Sequence, residues 1–224
     1  MLFKTAGKQF FPGLSQTPIL GLGQVYTWES TLSVKLATAA QLQTVANTMT
    51  MAFAADPFNR WYLAEADRYL EHFPKIVEAL ATPAIAAEAC YLTDNHGGAA
   101  IWYPPGVTLD EALAGEIFGN VVPAEIGDTF FKVMEAFDTY HPHDDDCWYL
   151  PLIGVDAGMQ GKGLGGTLMN HVVTLLDEKG ALGYLESSNP QNIPLYQRYG
   201  FEIMGRIEFE GAPLVTPMLR PRSN

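Results

Sequence analysis

The sequence predicts a mixed α/β fold of the α+β kind, in which a central sheet of about seven strands carries helices on both faces. Three observations lead there. Leu150 to Val155 is an almost unbroken apolar run of strand length, as expected of a strand buried on both sides. A glycine-rich loop follows it, and behind the loop Leu168, Val172, Leu175 and Leu176 recur at helical spacing. Elsewhere short strand-like runs alternate with helical ones. The chain of 224 residues suffices for one sizeable core, so residues 31–224 are expected as a single domain behind an irregular extension over residues 1–30.

In order, Thr31 to Leu36 alternates as a short strand does, and Thr38 is placed to cap the helix whose apolar face is Leu42, Val45, Met49 and Phe53. That helix is expected to end near Asp56-Pro57. Arg60 to Leu80 reads as further helix broken at Pro74, with Leu70, Phe73, Val77 and Leu80 apolar. Between Ala89 and Tyr103 two apolar runs flank the turn residues Asp94-Asn95-His96-Gly97-Gly98, which is a hairpin pattern. Val107 to Tyr140 is helical with short stops, and Phe130, Met134 and Phe137 form a stripe expected to pack in the core. His141-Pro142-His143-Asp144-Asp145-Asp146 offers metal-ligating side chains, but without a helical i,i+4 pair or a Cys/His spacing it is expected as a solvated loop, and no metal is expected. After the central strand, loop and helix, Leu182 to Leu185 makes the next strand, ending at Glu186. Phe201 to Phe209 and Leu214 to Leu219 are the last two strands, parted by Gly211-Ala212-Pro213.

Composition excludes several classes of partner. With 25 acidic against 13 basic residues the chain carries a net charge of −12, and no Lys/Arg cluster supplies the basic face that a nucleic acid requires. The same field disfavours anionic membranes and favours cationic substrates such as amines. Cys90 and Cys147 are too few and too far apart for a disulfide scaffold, which points to a reduced, cytoplasmic setting. No apolar run approaches the roughly 18 residues of a membrane span. Pro12, Ser15 and Pro18 interrupt what would be a signal-peptide core.

The chemistry gathers in Tyr149 to Gly166. Gly161, Gly163, Gly165 and Gly166 remove the Cβ atoms that would hold an anion away from the main chain, and they do so where a helix begins. Orphan N–H groups and the positive end of the helix dipole both favour an anion there. Gly161, Gly163 and Gly166 satisfy G-x-G-x-x-G, with Glu186 about twenty residues on, as in a dinucleotide fingerprint. Against that reading, Asp156 to Gln160 separate the strand from the first glycine, and fewer than sixty residues remain for the further parallel units such a fold needs.

Gln160-Gly161-Lys162-Gly163-Leu164-Gly165 fits the Q/R-x-x-G-x-G/A signature better. Downstream come Asn189-Pro190-Gln191-Asn192-Ile193-Pro194-Leu195-Tyr196 and Tyr199-Gly200-Phe201. In both blocks, and in their order, the chain resembles the GCN5-related N-acetyltransferase (GNAT) superfamily, closely over Cys147 to Phe209 and more loosely over Val34 to Pro105. Trp102-Tyr103-Pro104-Pro105-Gly106 resembles the strand ending of its puromycin-acetyltransferase-like branch. Many members carry proline where Ala157 stands.

The resemblance implies acetyl transfer from acetyl-CoA to the amine of a small molecule by direct attack in a ternary complex. The amides from Gln160, Gly161, Lys162, Gly163, Leu164, Gly165 and Gly166 would take the pyrophosphate, and the main chain of Ile153, Gly154 and Val155 would pair with the pantetheine arm. Tyr196 takes the family's tyrosine position as general acid, and Asn189 and Asn192 hold coenzyme or cap a helix. Glu186 is the expected general base, ahead of Asp156 at the matching end of the central strand. A regulator that binds acyl-CoA without turning it over is the alternative on the same fold. An oligomer is compatible with either.

Overall fold

The computed structural model describes residues 32–144 and 146–223; the extension expected over residues 1–30 and the middle aspartate of the acidic loop, Asp145, lie outside the described residues. Its first strand, β1 (Val34–Leu36), leads to a single 3-10 turn opened by Thr38, whose N–H donates to Gln41 Oε1 at 3.0 Å. Helix α1 (Leu42–Ala52) follows at once, and it buries Val45, Ala46 and Met49.

Helix α1 stops shortly before Asp56-Pro57 as expected, and two points beyond it are corrected: the next helix starts before Arg60, and Pro74 does not break the one after it. Asp56-Pro57 starts a helix, α2 (Pro57–Tyr62), because the Asp56 carboxylate accepts from Asn59 N at 2.9 Å and proline is suited to the first helical position. Helix α3 (Ala66–Ala86) runs through both Pro74 and Pro83. The carbonyl that Pro74 deprives of a donor belongs to Leu70, which is 60% exposed, so it lies on the water side while Phe73, Ile76 and Val77 keep the opposite face in the core.

The hairpin forms as expected from β2 (Cys90–Thr93) and β3 (Gly98–Tyr103). Helices α4 (Glu111–Val121) and α5 (Gly127–Tyr140) come next, then the central strand β4 (Cys147–Val155), α6 (Leu164–Lys179), β5 (Leu182–Ser187) and α7 (Ile193–Arg198). The expected final pair of strands is shorter than its apolar patterning suggests. It consists of β6 (Glu202–Ile203), a lone Ile207–Val215 bridge and β7 (Thr216–Arg220).

The seven strands form one sheet in the order β1-β2-β3-β4-β5-β7-β6, antiparallel throughout except between β4 and β5. Alternation along the strands sends apolar side chains to both faces. Leu92, Ala99 and Ile101 meet Val45, Met49, Phe73 and Phe130 of α1, α3 and α5 on one side. Ala100, Trp102 and Leu150 meet Leu168, Val172 and Leu176 of α6 and Tyr196 of α7 on the other.

Candidate active site

The parallel pair β4 and β5 stays together only briefly. Cys147, Trp148 and Tyr149 pair with Leu182, Gly183 and Tyr184, and beyond Tyr149 no further rung joins the two strands. On its other edge β4 remains bonded to β3 as far as Val155. The cause lies in the sequence of β4 itself: the β3 register shifts between Ile101 opposite Leu152 and Tyr103 opposite Tyr149, so Leu150 and Pro151 together stand opposite the single residue Trp102, one residue in excess. Proline has no ladder donor and a bulge bends its strand, so β4 turns away from β5 at this point. Alternate main-chain groups of residues 152–155 are thereby left facing the split. Pro151, inside an otherwise apolar run, was the signal for this that the strand reading passed over.

The loop after β4 is held by its own side chains. Asp156 accepts from Gly158 N at 2.8 Å, and Gln160 Nε2 donates back to Val155 O at 3.2 Å. Gly161 and Gly163 have φ of 74° and 83°, the left-handed region that favours glycine. At the start of α6 no side chain caps the helix, and among the described residues the Leu164, Gly165 and Gly166 N–H groups have no hydrogen-bond acceptor. These three amides and the helix dipole are what an anionic ligand would meet. Gly166 also receives the Tyr199 hydroxyl, which donates to its carbonyl at 2.9 Å.

Two clefts meet at the split. One, of about 690 Å³, is lined by Ile153, Gly154, Val155, Gln160, Gly161, Gly163, Leu164, Gly165, Gly166, Asn189, Asn192 and Tyr196. Every loop and strand residue expected around a coenzyme is therefore brought together there except Lys162, which is exposed with its ammonium 3.5 Å from Met159 Sδ. Asn189 also caps, its Oδ1 accepting from Gln191 N at 3.0 Å. Asp156 is absorbed in the loop turn. The second cleft, of about 630 Å³, lies beside α2 to α5 and contains Glu186. Ile153, Asn192, Tyr196 and Phe53 line both.

Glu186 keeps only partial access to water, through this second cleft. Desolvation pushes its carboxyl up from an ordinary 4.5 to about 7, against the nearby Tyr149 and Tyr184 hydroxyls, which favour the charged form. The fully buried Tyr184 hydroxyl finds no hydrogen-bond acceptor among the described residues, so its influence on the carboxylate is one of proximity. Tyr196 is 6% exposed, and burial, reinforced by the charge of Asp56, holds its hydroxyl above the usual phenol range. Asp56 in turn accepts from Ser188 Oγ at 2.6 Å, tying the start of α2 to the loop after β5.

The acidic loop is only partly as expected. Asp144 and Asp146 pair with Arg222 at 3.3 and 2.6 Å, on the solvent side. His141 turns inward, its ring edge-on to Tyr149 and Tyr184 with centroids 5.1 and 4.9 Å away, and burial lowers its pKa. Among the described residues no group of three His, Cys, Asp or Glu side chains is placed to hold a metal ion. No helix among them is long and apolar enough to cross a membrane.

A sheet split between its parallel strands, with a glycine loop and uncapped helix at the end of one of them, defines a mixed α/β acyltransferase fold. The family model for the acetyltransferase (GNAT) family matches residues 83–201, more than half of the chain, and the chain belongs to that family. It is 25% identical to an uncharacterized N-acetyltransferase of Schizosaccharomyces pombe, over 76% of this chain and 74% of that protein. Among solved structures, the histone acetyltransferase HPA2 and related acetyltransferase of Corynebacterium glutamicum superposes with a TM-score of 0.63 at 23% identity, covering 86% of this chain and 97% of that one. Arylalkylamine N-acetyltransferase 2 of Aedes aegypti gives 0.63 at 12% identity, over 86% and 99% of the two chains. The polyamine N-acetyltransferase of Drosophila melanogaster gives 0.56 at 13% identity, over 84% and 98%. At these identities the likeness is one of fold.

Proposed function

We propose that the chain is an acetyl-CoA-dependent N-acetyltransferase acting on the amine of a small molecule, by direct attack with both substrates bound. The observation that carries it is the meeting of the two clefts along Ile153, Asn192 and Tyr196: one has the free amides that suit a diphosphate, the other a carboxylate that suits an amine. Solved structures of the same fold that are named for arylalkylamines and polyamines support an amine acceptor. The Trp102 to Gly106 strand ending supports a substrate side built as in the puromycin-acetyltransferase-like branch, since Tyr103 to Gly106 form part of the second cleft's wall.

The residues present fit the cosubstrate. The amides of Leu164, Gly165 and Gly166 would bind its diphosphate, and the free edge of β4 would receive the pantetheine amides as an added strand. When bound, acetyl-CoA supplies an acyl carbon activated as a thioester. Glu186, poised near neutrality, takes a proton from the ammonium group and frees the nitrogen lone pair to form the new C–N bond. Main-chain N–H groups at the split stabilise charge developing on the carbonyl oxygen. As the C–S bond breaks, its electron pair goes to sulfur, and Tyr196 gives that sulfur its proton. The second nitrogen proton restores the Tyr196 hydroxyl. The net result is one amide, one thiol and one proton, the last held by Glu186 until it leaves to water.

The test is a thermal shift with micromolar acetyl-CoA, followed by thiol release on adding amines. Stabilisation with turnover is expected. No shift would mean that the loop holds some other ligand, and a shift without turnover would favour the non-catalytic regulator.

A further inference from the structure

The walls of the second cleft are informative about the body that carries the amine. Phe53, Leu109, Phe118, Met134, Phe137 and Tyr149 are each half-buried against the core and leave apolar surface facing the space between α2, α5 and β4. Water against such surface is released when an apolar group replaces it.

Charge, by contrast, is confined to one stretch. Glu186 at the end of β5, Asp138 and His141 at the end of α5, and His143 and Asp144 just beyond make up all of it among the described residues, and no lysine or arginine lines the cleft. Arg222 engages Asp144 at 3.3 Å, which leaves Glu186 and Asp138 to face a ligand. Those two carboxylates are close enough for the charge of one to act on the other.

Resting on the reading of acetyl transfer to an amine, we propose that the acceptor is a primary monoamine carried on an apolar body of about aromatic-ring size. With Glu186 taken by the reacting amine, the further ammonium groups of a polyamine would have Asp138 as their one free carboxylate among the described residues, and the rest of the chain would lie against phenylalanine and leucine side chains. An amino acid would bring its own carboxylate towards Glu186 and Asp138 with no cation to receive it, and like charges brought together in this way are strongly unfavourable. The many hydroxyl groups of an aminoglycoside outnumber the few polar side chains of the cleft, such as Asn59, Thr108 and Ser188, and most would go unpartnered along the apolar walls.

The experiment measures kcat/KM by thiol release for the full chain at saturating acetyl-CoA, with butylamine, hexylamine, phenethylamine, phenylalanine, spermidine and tobramycin as acceptors. From butylamine to hexylamine the value should rise by about fourfold per added methylene. Phenethylamine should exceed phenylalanine and spermidine by on the order of a hundredfold. Leu109→Asp places a carboxylate among the apolar walls and should narrow the ratio of phenethylamine to spermidine by about tenfold. If spermidine or tobramycin is the best acceptor, or the value does not change with chain length, the apolar monoamine is wrong and acetyl transfer still stands. If no amine releases thiol while acetyl-CoA still raises the melting temperature, the substrate class fails together with the reading beneath it.

Discussion

Tyr196 is buried and Glu186 largely withdrawn from water, and desolvation serves opposite ends in the two. For the carboxyl it lifts the pKa from 4.5 to about 7, so that the group can accept a proton from an amine and release it again near neutrality. For the phenol it keeps the proton in place until a thiolate develops beside it. Glu186→Gln should therefore lower kcat/KM by about two to four orders of magnitude, and it should abolish the rise in activity as pH increases through about 7, read from a pH–rate profile. The same shift bears on stability. A carboxyl whose folded pKa lies above its unfolded one binds its proton more tightly when folded, so stability falls as pH rises from 4.5 to 7, by about 3 kcal/mol in all. The glutamine variant escapes that loss and should melt higher than the parent at pH 8 but alike at pH 4, by calorimetry. Tyr196→Phe keeps the ring in its place between the sheet and Phe201 and removes only the hydroxyl. It should cost about a hundredfold or more in kcat while leaving the dissociation constant for acetyl-CoA, measured by titration calorimetry, within about twofold.

At the level of single elements, β4 decides the geometry of the site, and its two least strand-like residues make it do so. Pro151 opens the split, and Gly154 lets α1 lie against the strand: a Cβ at position 154 would come within 2.6 Å of Ala52 Cβ and 3.1 Å of Met49 Sδ. Gly154→Ala should accordingly displace the end of α1, which also lines the coenzyme cleft. The expected outcome is a loss of about 1–3 kcal/mol in urea unfolding together with weaker acetyl-CoA binding. The same elements show what patterning conveys and what it omits. Hydrophobic period and glycine placement located α1, the β2–β3 hairpin, β4 and α6, because each follows from local sequence. Proline was harder to read. Pro57 opens the helix that was expected only from Arg60, Pro74 lies within one expected to break, and Pro151 marks a bulge. In each case the outcome depends on which side of the element faces water or a neighbouring strand, and that is a tertiary fact.

Over the molecule as a whole, the site joins residues from three parts of the chain. The loop between β4 and α6 and the segment from Glu186 to Tyr196 were legible as motifs. The acceptor side was legible only as two segments, Ala54 to Leu80 and Val107 to Tyr140, which do supply much of its wall. The individual side chains were not, because Phe53, Phe118, Phe137 and His141 share a cleft only once α2 to α5 have folded over one face of the sheet. That arrangement bears on the order of chemical events. Direct transfer requires both clefts to be filled together, and a two-stage route would need a nucleophile between them to carry the acetyl group. Cys147 is the one cysteine among the described residues lining the acceptor cleft, and desolvation pushes its thiol up to about 12, so almost none of it is thiolate at neutral pH. Initial rates measured against acetyl-CoA at several fixed amine concentrations should therefore give intersecting double-reciprocal lines, and Cys147→Ser should retain kcat within about threefold. Parallel lines, or loss of turnover in the serine variant with its fold intact by circular dichroism, would show that the acetyl group stops on the protein on its way between the clefts.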